Sequence, residues 1–322
     1  MAVSACGNAD KYPQTSLDPK SDLAVEIDNL WNLTLVLGVS VSLVTFAILG
    51  YILFRFRWRP DSPQPKQVHG NTTLEIAWTL IPAVLISFVA VPTVRTIFYT
   101  YRDAPADALT VDVYGEQWWW RFHYPTANGD TVRTANEFHV PVGRTVRLRM
   151  TSNDVVHSFW LPQMGGKRDV IPGRVNEIVF TPLEAGVYLG QCAEFCGESH
   201  ALMKMRLIAQ EPADFEKWLA NEASPAVAVA DSSVAIGKDL YMTSGCAGCH
   251  TISGVSMARI GPDLSHIARR STIAAGVLDN NAQNLHEWIT DPASVKPGSL
   301  MPDLNLTDQQ ADYIVAYLQT LY

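Results

Sequence analysis

From Leu30 to Phe54 the chain runs for 25 residues without a charged side chain. At ~1.5 Å per residue, a helix of about 25 residues is longer than the ~30 Å hydrocarbon core of a bilayer. A second apolar run extends from about Leu74 to Tyr99 and holds Pro82 and Pro92, which membrane helices tolerate better than soluble ones. Trp58, Trp78, Tyr99 and Tyr101 stand near the ends of the runs, where interfacial aromatics collect. Arg55, Arg57, Arg59 and Lys66 lie between them. Basic residues of short loops stay in the cytoplasm, so the loop is expected inside and both termini outside. The lengths speak against a buried soluble helix pair.

The rest of the chain is less apolar, which is why mean hydropathy is only +0.04. Residues 1–29 read as a polar external segment and 30–101 as the hairpin. From about residue 108 the pattern alternates, as in Leu109–Val113, Val146–Met150 and Glu177–Phe180, with Gly and Pro between the runs. Many short strands with turn signals predict an all-β sandwich or barrel over 102–212. Residues 213–220 look helical and 221–231 read as a linker of small residues. Residues 232–322 look all-α. Their last helix is announced by Thr307 with Gln310 three residues on, a capping-box pattern, and by Ile314, Leu318 and Leu321 on one face. The net charge of −8, with no basic patch interleaved with aromatics, argues against nucleic acid as a partner. An acidic outer surface suits a basic electron donor.

Five cysteines are present, and four form two tight pairs, Cys192/Cys196 and Cys246/Cys249. In an exported protein disulfides are the first reading. Each pair, however, is followed by a histidine at ligand-like spacing, which points to cofactors. Cys192, Cys196, His200 and Met203 offer two thiolates, an imidazole and a thioether within one short segment. Soft sulfur with imidazole selects copper or zinc, and the thioether weighs against zinc. His157 is the candidate for a second imidazole.

Cys246-Ala247-Gly248-Cys249-His250 is the attachment signature of a c-type haem, with His250 reaching the iron. Half a zinc site or a redox dithiol would share the C-x2-C spacing, but no further cysteine pair follows. The sixth ligand is sought downstream, where Met301 sits in the irregular segment Lys296–Pro302. Met257 lies only seven residues after His250, and His266 is a further rival.

Taken with the membrane hairpin, H…C-x-E-x-C-x3-H-x2-M resembles subunit II of the haem–copper oxidases, and the fused haem domain resembles the caa3-type members. The resemblance implies a dinuclear copper centre, CuA, on a cupredoxin-like barrel. Cys192 and Cys196 would bridge the metals, and His157, His200, Met203 and the carbonyl of Glu194 would be terminal ligands. Through its side chain, Glu194 would also help bind magnesium at the interface with subunit I. In Gly115–Trp120, Trp118 matches the residue taken to bridge an incoming electron to CuA, while Trp119 and Trp120 are expected to pack on the membrane face or a partner subunit. Leu74–Thr79 resembles the family segment that puts Glu75 at the mouth of a proton channel; a carboxylate in a helix's first turn is also favoured by the dipole alone. Gly261–Leu264 resembles the segment whose proline carbonyl, here Pro262, orients the axial histidine. His/Met ligation raises the haem potential.

The same likeness implies partners: subunits I and III, the lipid of a bacterial cell membrane, and a donor that is cytochrome c or of the quinol–cytochrome c reductase type. Electrons would pass from haem c through CuA to haem a of subunit I, where oxygen is reduced and protons are pumped. The electron-entry subunit of a copper-containing nitric oxide reductase and a copper-delivery or assembly protein are the alternatives. Val3-Ser4-Ala5-Cys6 resembles the end of a lipoprotein signal, which leaves Cys6 either lipidated or ordinary.

Overall fold

The computed structural model describes residues 11–60, 63–64, 66–126, 129–226 and 231–322; Cys6 lies outside them. The chain divides into two compact units: residues 25–102, and residues up to 24 together with 103–322.

The first unit is helical. Helices α1 (Asp22–Arg55) and α2 (Thr72–Thr100) each contain an 18-residue window apolar enough to cross a membrane, with mean hydropathies of 2.3 and 2.1. The Asn71 side chain caps α2 by accepting from the amides of Thr73 and Leu74 at 3.1 and 3.2 Å. Pro82 and Pro92 are accommodated inside α2. The first helix starts at Asp22, eight residues before the apolar run. The reason lies in the other unit, where Ser21, Leu23 and Ala24 are buried. There Ser21 Oγ donates to Met164 O at 2.7 Å and Asp22 Oδ1 accepts from Thr181 N at 2.7 Å. The polar lead-in is thus tied down by contacts that no local pattern announces.

In the second unit, ten strands form two five-stranded sheets: β1 (Leu109–Glu116), β2 (Trp119–Pro125), β3 (Thr131–Ala135), β4 (Glu137–Pro141), β5 (Val146–Ser152), β6 (His157–Trp160), β7 (Arg168–Val170), β8 (Asn176–Phe180), β9 (Gly186–Cys192) and β10 (Lys204–Gln210). One sheet has the order β3-β2-β1-β5-β8 and the other β4-β10-β9-β6-β7. Alternation works as expected in β1: Val111 and Val113 are fully buried, while Asp112 faces out and pairs with Arg149 at 3.3 Å. Between the sheets Phe122 stacks on Phe138 with centroids 4.4 Å apart, and Phe159 meets both edge-on. Trp120 is also fully buried in this core, against Phe159 and His157. The expectation that it packs on a membrane or partner face is corrected, because β2 alternation turns it inward.

Helix α3 (Pro212–Glu222) closes the barrel by burying Phe215. It runs two residues into the stretch read as linker, of which 227–230 fall outside the described residues. The C-terminal helices are α4 (Ser232–Thr243), α5 (Ala282–Thr290), α6 (Pro292–Val295) and α7 (Asp308–Leu318). Thr307 and Gln310 form the expected capping box on α7, and Ile314, Leu318 and Leu321 are buried in one core with Tyr241, Leu285 and Tyr317. Gly237 lets α4 and α7 cross closely, since a Cβ there would come 2.0 Å from Tyr313 O.

Candidate metal centre and haem cavity

Strand β9 ends at Cys192, and Met203 stands immediately before β10. Cys192 N donates to Met203 O at 2.9 Å, which closes the intervening segment into a loop. Antiparallel pairing of β6 with β9 sets Phe159 opposite Cys192 and carries His157 to the same loop. Four of the sequence-predicted ligands are therefore buried together: Cys192 and Cys196 at 4% exposure, His157 and Met203 at 0%.

The two Sγ atoms are 3.8 Å apart. That is far beyond the ~2.05 Å of a disulfide. Two thiolates sharing a metal at about 2.3 Å and a near-tetrahedral angle would sit about 3.8 Å apart. Around them, His157 Nδ1 is 3.9 Å from Cys192 Sγ, His200 Nδ1 is 3.6 Å from Cys196 Sγ, and Met203 Sδ is 3.9 Å from Cys196 Sγ. The Glu194 carbonyl oxygen is 3.3 Å from Cys192 Sγ, while its side chain is exposed. This donor set fits a copper centre: two cysteine sulfurs, two imidazoles, a thioether and a carbonyl. Among the described residues, His157, Cys192 and Cys196 are the one group of three ligating side chains close enough to share an ion.

Of the two thiols, the electrostatics favour the thiolate at Cys192. The bond from Cys196 holds the Cys192 thiol far below its usual pKa, at about 3, and the same contact with burial pushes Cys196 up. Burial works against charge on His157, but Asp154 and Cys192 outweigh it and raise its pKa. Asp154 Oδ1 meets His157 Nε2 at 2.8 Å, leaving Nδ1 to face the sulfurs. Such a carboxylate partner fixes ring orientation. Sequence reading missed Asp154; its only local signal is the D-x2-H spacing.

Cys246, Cys249, His250, Pro262 and Met301 all line one cavity of about 300 Å³. That volume lies at the lower end of the range for small-molecule and cofactor sites. His250 Nδ1 donates to Pro262 O at 2.8 Å, which leaves Nε2 for iron. Burial lowers the His250 pKa, which favours the neutral imidazole. Met257 is 88% exposed, and His266 is buried elsewhere, bonded to Ser224 O at 3.1 Å; neither lines the cavity. The donor set and the apolar lining fit a covalently held haem with Met301 as sixth ligand.

Trp118, from the turn joining β1 to β2, and Trp119, the first residue of β2, line the same cavity. Trp118 is 8% exposed and its indole Nε1 donates to Cys196 O at 3.0 Å. It therefore stands between the haem cavity and the copper ligands. Gly197, at φ 120°, leaves room for the ring, since a Cβ there would lie 2.9 Å from Trp118 Cζ2. Glu75 occupies the first turn of α2 and is exposed.

A membrane-anchored β-domain with a copper-type ligand set, joined to a haem-binding helical domain, defines a respiratory electron-transfer subunit. Three family models match: cytochrome c oxidase subunit II, transmembrane domain, over residues 12–96; cytochrome c oxidase subunit II, periplasmic domain, over 126–210; and cytochrome c over 234–322. The chain belongs to the cytochrome c oxidase subunit II family. It is 37% identical to cytochrome c oxidase subunit 2 of Alkalihalophilus pseudofirmus, over 95% of this chain and 90% of that protein. Its identity to the same subunit of Bacillus sp. strain PS3 is 36%, over 83% and 80% of the two chains. The crystal structure of the periplasmic domain of subunit II (CoxB) of Bradyrhizobium japonicum is 34% identical, covers 37% of this chain and 96% of its own, and superposes with a TM-score of 0.35. Family membership implies copper, haem c, membrane anchoring, and association with other oxidase subunits and cytochrome c donors.

Proposed function

We propose that this chain is the electron-input subunit of a caa3-type oxidase, taking electrons at haem c and delivering them through CuA to haem a of subunit I. The observation that carries the reading is Trp118, which lines the haem cavity and donates its indole hydrogen to the carbonyl of Cys196. When bound, the two cofactors supply one-electron redox chemistry. Cys192 and Cys196 hold the coppers between them, with His157, His200, Met203 and the Glu194 carbonyl as terminal ligands. Burial of Cys192, Cys196, His157 and Met203 in a β-framework limits their movement on a change of charge. Cys246 and Cys249 hold the haem covalently, and His250 and Met301 ligate its iron.

The exposed Glu194 carboxylate is assigned to magnesium shared with subunit I, and Glu75 to the mouth of a proton channel in that subunit. Arginines between the two spans support an inside loop, with both soluble domains on the outer face of a bacterial membrane. Subunits I and III complete the complex, and the donor is cytochrome c or a quinol–cytochrome c reductase-type complex.

The test is a reduced-minus-oxidised spectrum of the native complex purified through a tag on this chain, with oxygen uptake. Haem a and haem c together with oxygen consumption are expected. Haem c with haem b and no haem a would move the chain to a nitric oxide reductase or another oxidase class, and haem c alone to a free redox or assembly protein.

A further inference from the structure

The barrel and the haem domain meet through buried polar groups, and two of these have no other use. Glu137 opens β4, an edge strand, and is only 4% exposed. The preceding Asn136, at φ 62°, turns the chain so that Glu137 faces the haem domain. Its carboxylate accepts four bonds, all from across the boundary: Ser271 N at 3.0 Å, Ser271 Oγ at 2.7 Å, Thr272 N at 2.7 Å and Thr272 Oγ1 at 2.6 Å. A carboxylate is an acceptor only, so four donors match it fully. Bonds to a charged acceptor are about twice as strong as neutral ones.

Lys296 reaches the other way. It is 4% exposed, and its ammonium donates to Trp118 O and to Ala274 O. Between these two anchors runs the segment 271–275. Ala274 and Ala275 both lie in the left-handed region, at φ 52° and 62°. Non-glycine residues there are strained and persist only where the surroundings dictate them. Here Ala274 O is held by Lys296, and Ala275 O accepts from the barrel amide of Lys204 at 3.1 Å. Thr272, Ile273, Ala274 and Ala275 are also a wall of the haem cavity. The contacts that join the domains therefore shape the cavity wall.

We propose that Glu137 and Lys296 are positioning residues for internal electron transfer: they clamp the 271–275 wall to the barrel and so fix the haem cavity against Trp118. The haem domain then works docked rather than swinging on its tether. This rests on the function proposed above, in which one electron leaves ferrous haem c, making it ferric, and reduces the copper pair by one electron; no proton or bond moves. Glu137 does not line the haem cavity; Lys296 does, with its ammonium bonded to the carbonyls of Trp118 and Ala274. Their effect runs through distance, to which tunnelling between fixed centres is steeply sensitive.

The experiment compares wild type with Glu137→Ala, Glu137→Gln, Lys296→Met and Thr272→Val in the intact oxidase. Three quantities are read: haem c reoxidation after flash reduction, followed with copper absorbance; bimolecular reduction of haem c by external ferrous cytochrome c; and hydrogen exchange at the 271–275 amides. Glu137→Ala is expected to slow internal transfer at least tenfold and speed exchange of the segment, with haem c spectrum and external reduction unchanged. Glu137→Gln keeps one accepting oxygen and falls between. Thr272→Val removes one donor, folds without leaving a buried carboxylate unmatched by its other three, and gives a smaller slowing. Wild-type internal rates in Glu137→Ala, or in Thr272→Val and Lys296→Met where Glu137→Ala does not assemble, overturn the clamp alone. Absence of haem-to-copper transfer in wild type overturns the function it rests on, and the proposal with it.

Discussion

Both redox sites are built on a cysteine pair and a histidine, yet they are made in opposite ways. At the copper site the ligands already touch: Cys192 and Cys196 sulfurs are 3.8 Å apart, and ladder pairing of β6 with β9 brings in His157. At the haem site Cys246, Cys249, His250 and Met301 stand around a cavity of about 300 Å³ instead of one another. The first site is a property of the barrel, whose core is the packed set Phe122, Phe138 and Phe159. The second is built onto a small core, since Met301 and Cys246 pack on the cluster of Ile314, Tyr317 and Leu318. Metal should therefore add little to barrel stability, whereas haem should be part of the fold of its domain.

The comparison breaks most visibly if haem attachment is prevented. Cys246→Ala with Cys249→Ala should leave residues 232–322 open to proteolysis while the copper spectrum of the barrel survives, read by limited trypsin digestion and electron paramagnetic resonance. A protected C-terminal domain in that variant would sink the idea that haem is core. The converse variant, Cys192→Ser with Cys196→Ser, or removal of copper by a chelator, should abolish the copper spectrum. It should leave haem c absorbance unchanged and shift barrel melting only slightly.

A sharper case is Asp154→Ala. Losing the 2.8 Å partner of His157 Nε2 frees the ring, and such losses weaken metal binding about 10–100-fold. Competition for copper against a chelator of known affinity measures this, and haem c should again be unaffected.

The smallest effect lies in the barrel alone. His139 stacks on Trp218 at 4.1 Å and donates from Nδ1 to Gln210 at 2.8 Å, and burial pushes its pKa down to about 4. The unfolded chain, with His near 6.5, takes up the proton first as pH falls. The contribution of neutral His139 is thus complete above pH 6.5 and lost as pH drops towards and through 4, amounting to about 1–3 kcal/mol. Melting from pH 7 to 4 should show a shallower acid slope in His139→Phe than in wild type. His123, also lowered to about 4 by burial and by Arg133, Arg121 and Arg259, keeps the remaining slope.

Much of this was legible because the signals are local. Two apolar spans, the capping box at Thr307/Gln310 and both cysteine–histidine motifs are read along the chain, and the structure gathers His157 with Cys192, Cys196, His200 and Met203 as the likeness implied. Of Met301, Met257 and His266, Met301 is the one that lines the cavity. The misses share a cause. Helix α1 begins at Asp22 because Ser21 bonds Met164 and Asp22 bonds Thr181, and Trp120 turns inward because β2 starts at Trp119.

The sequence by itself determined which atoms are available to bind copper and haem, since ligand identity and close spacing are covalent facts. Tertiary structure alone decided what stands between the two sites. Glu137 and Lys296 acquire their roles from partners up to 178 positions away, as Lys296 and Trp118 are. Hydrogen bonds and burial at such separations depend on how sheets and helices pack, and no residue pattern along the chain encodes them locally.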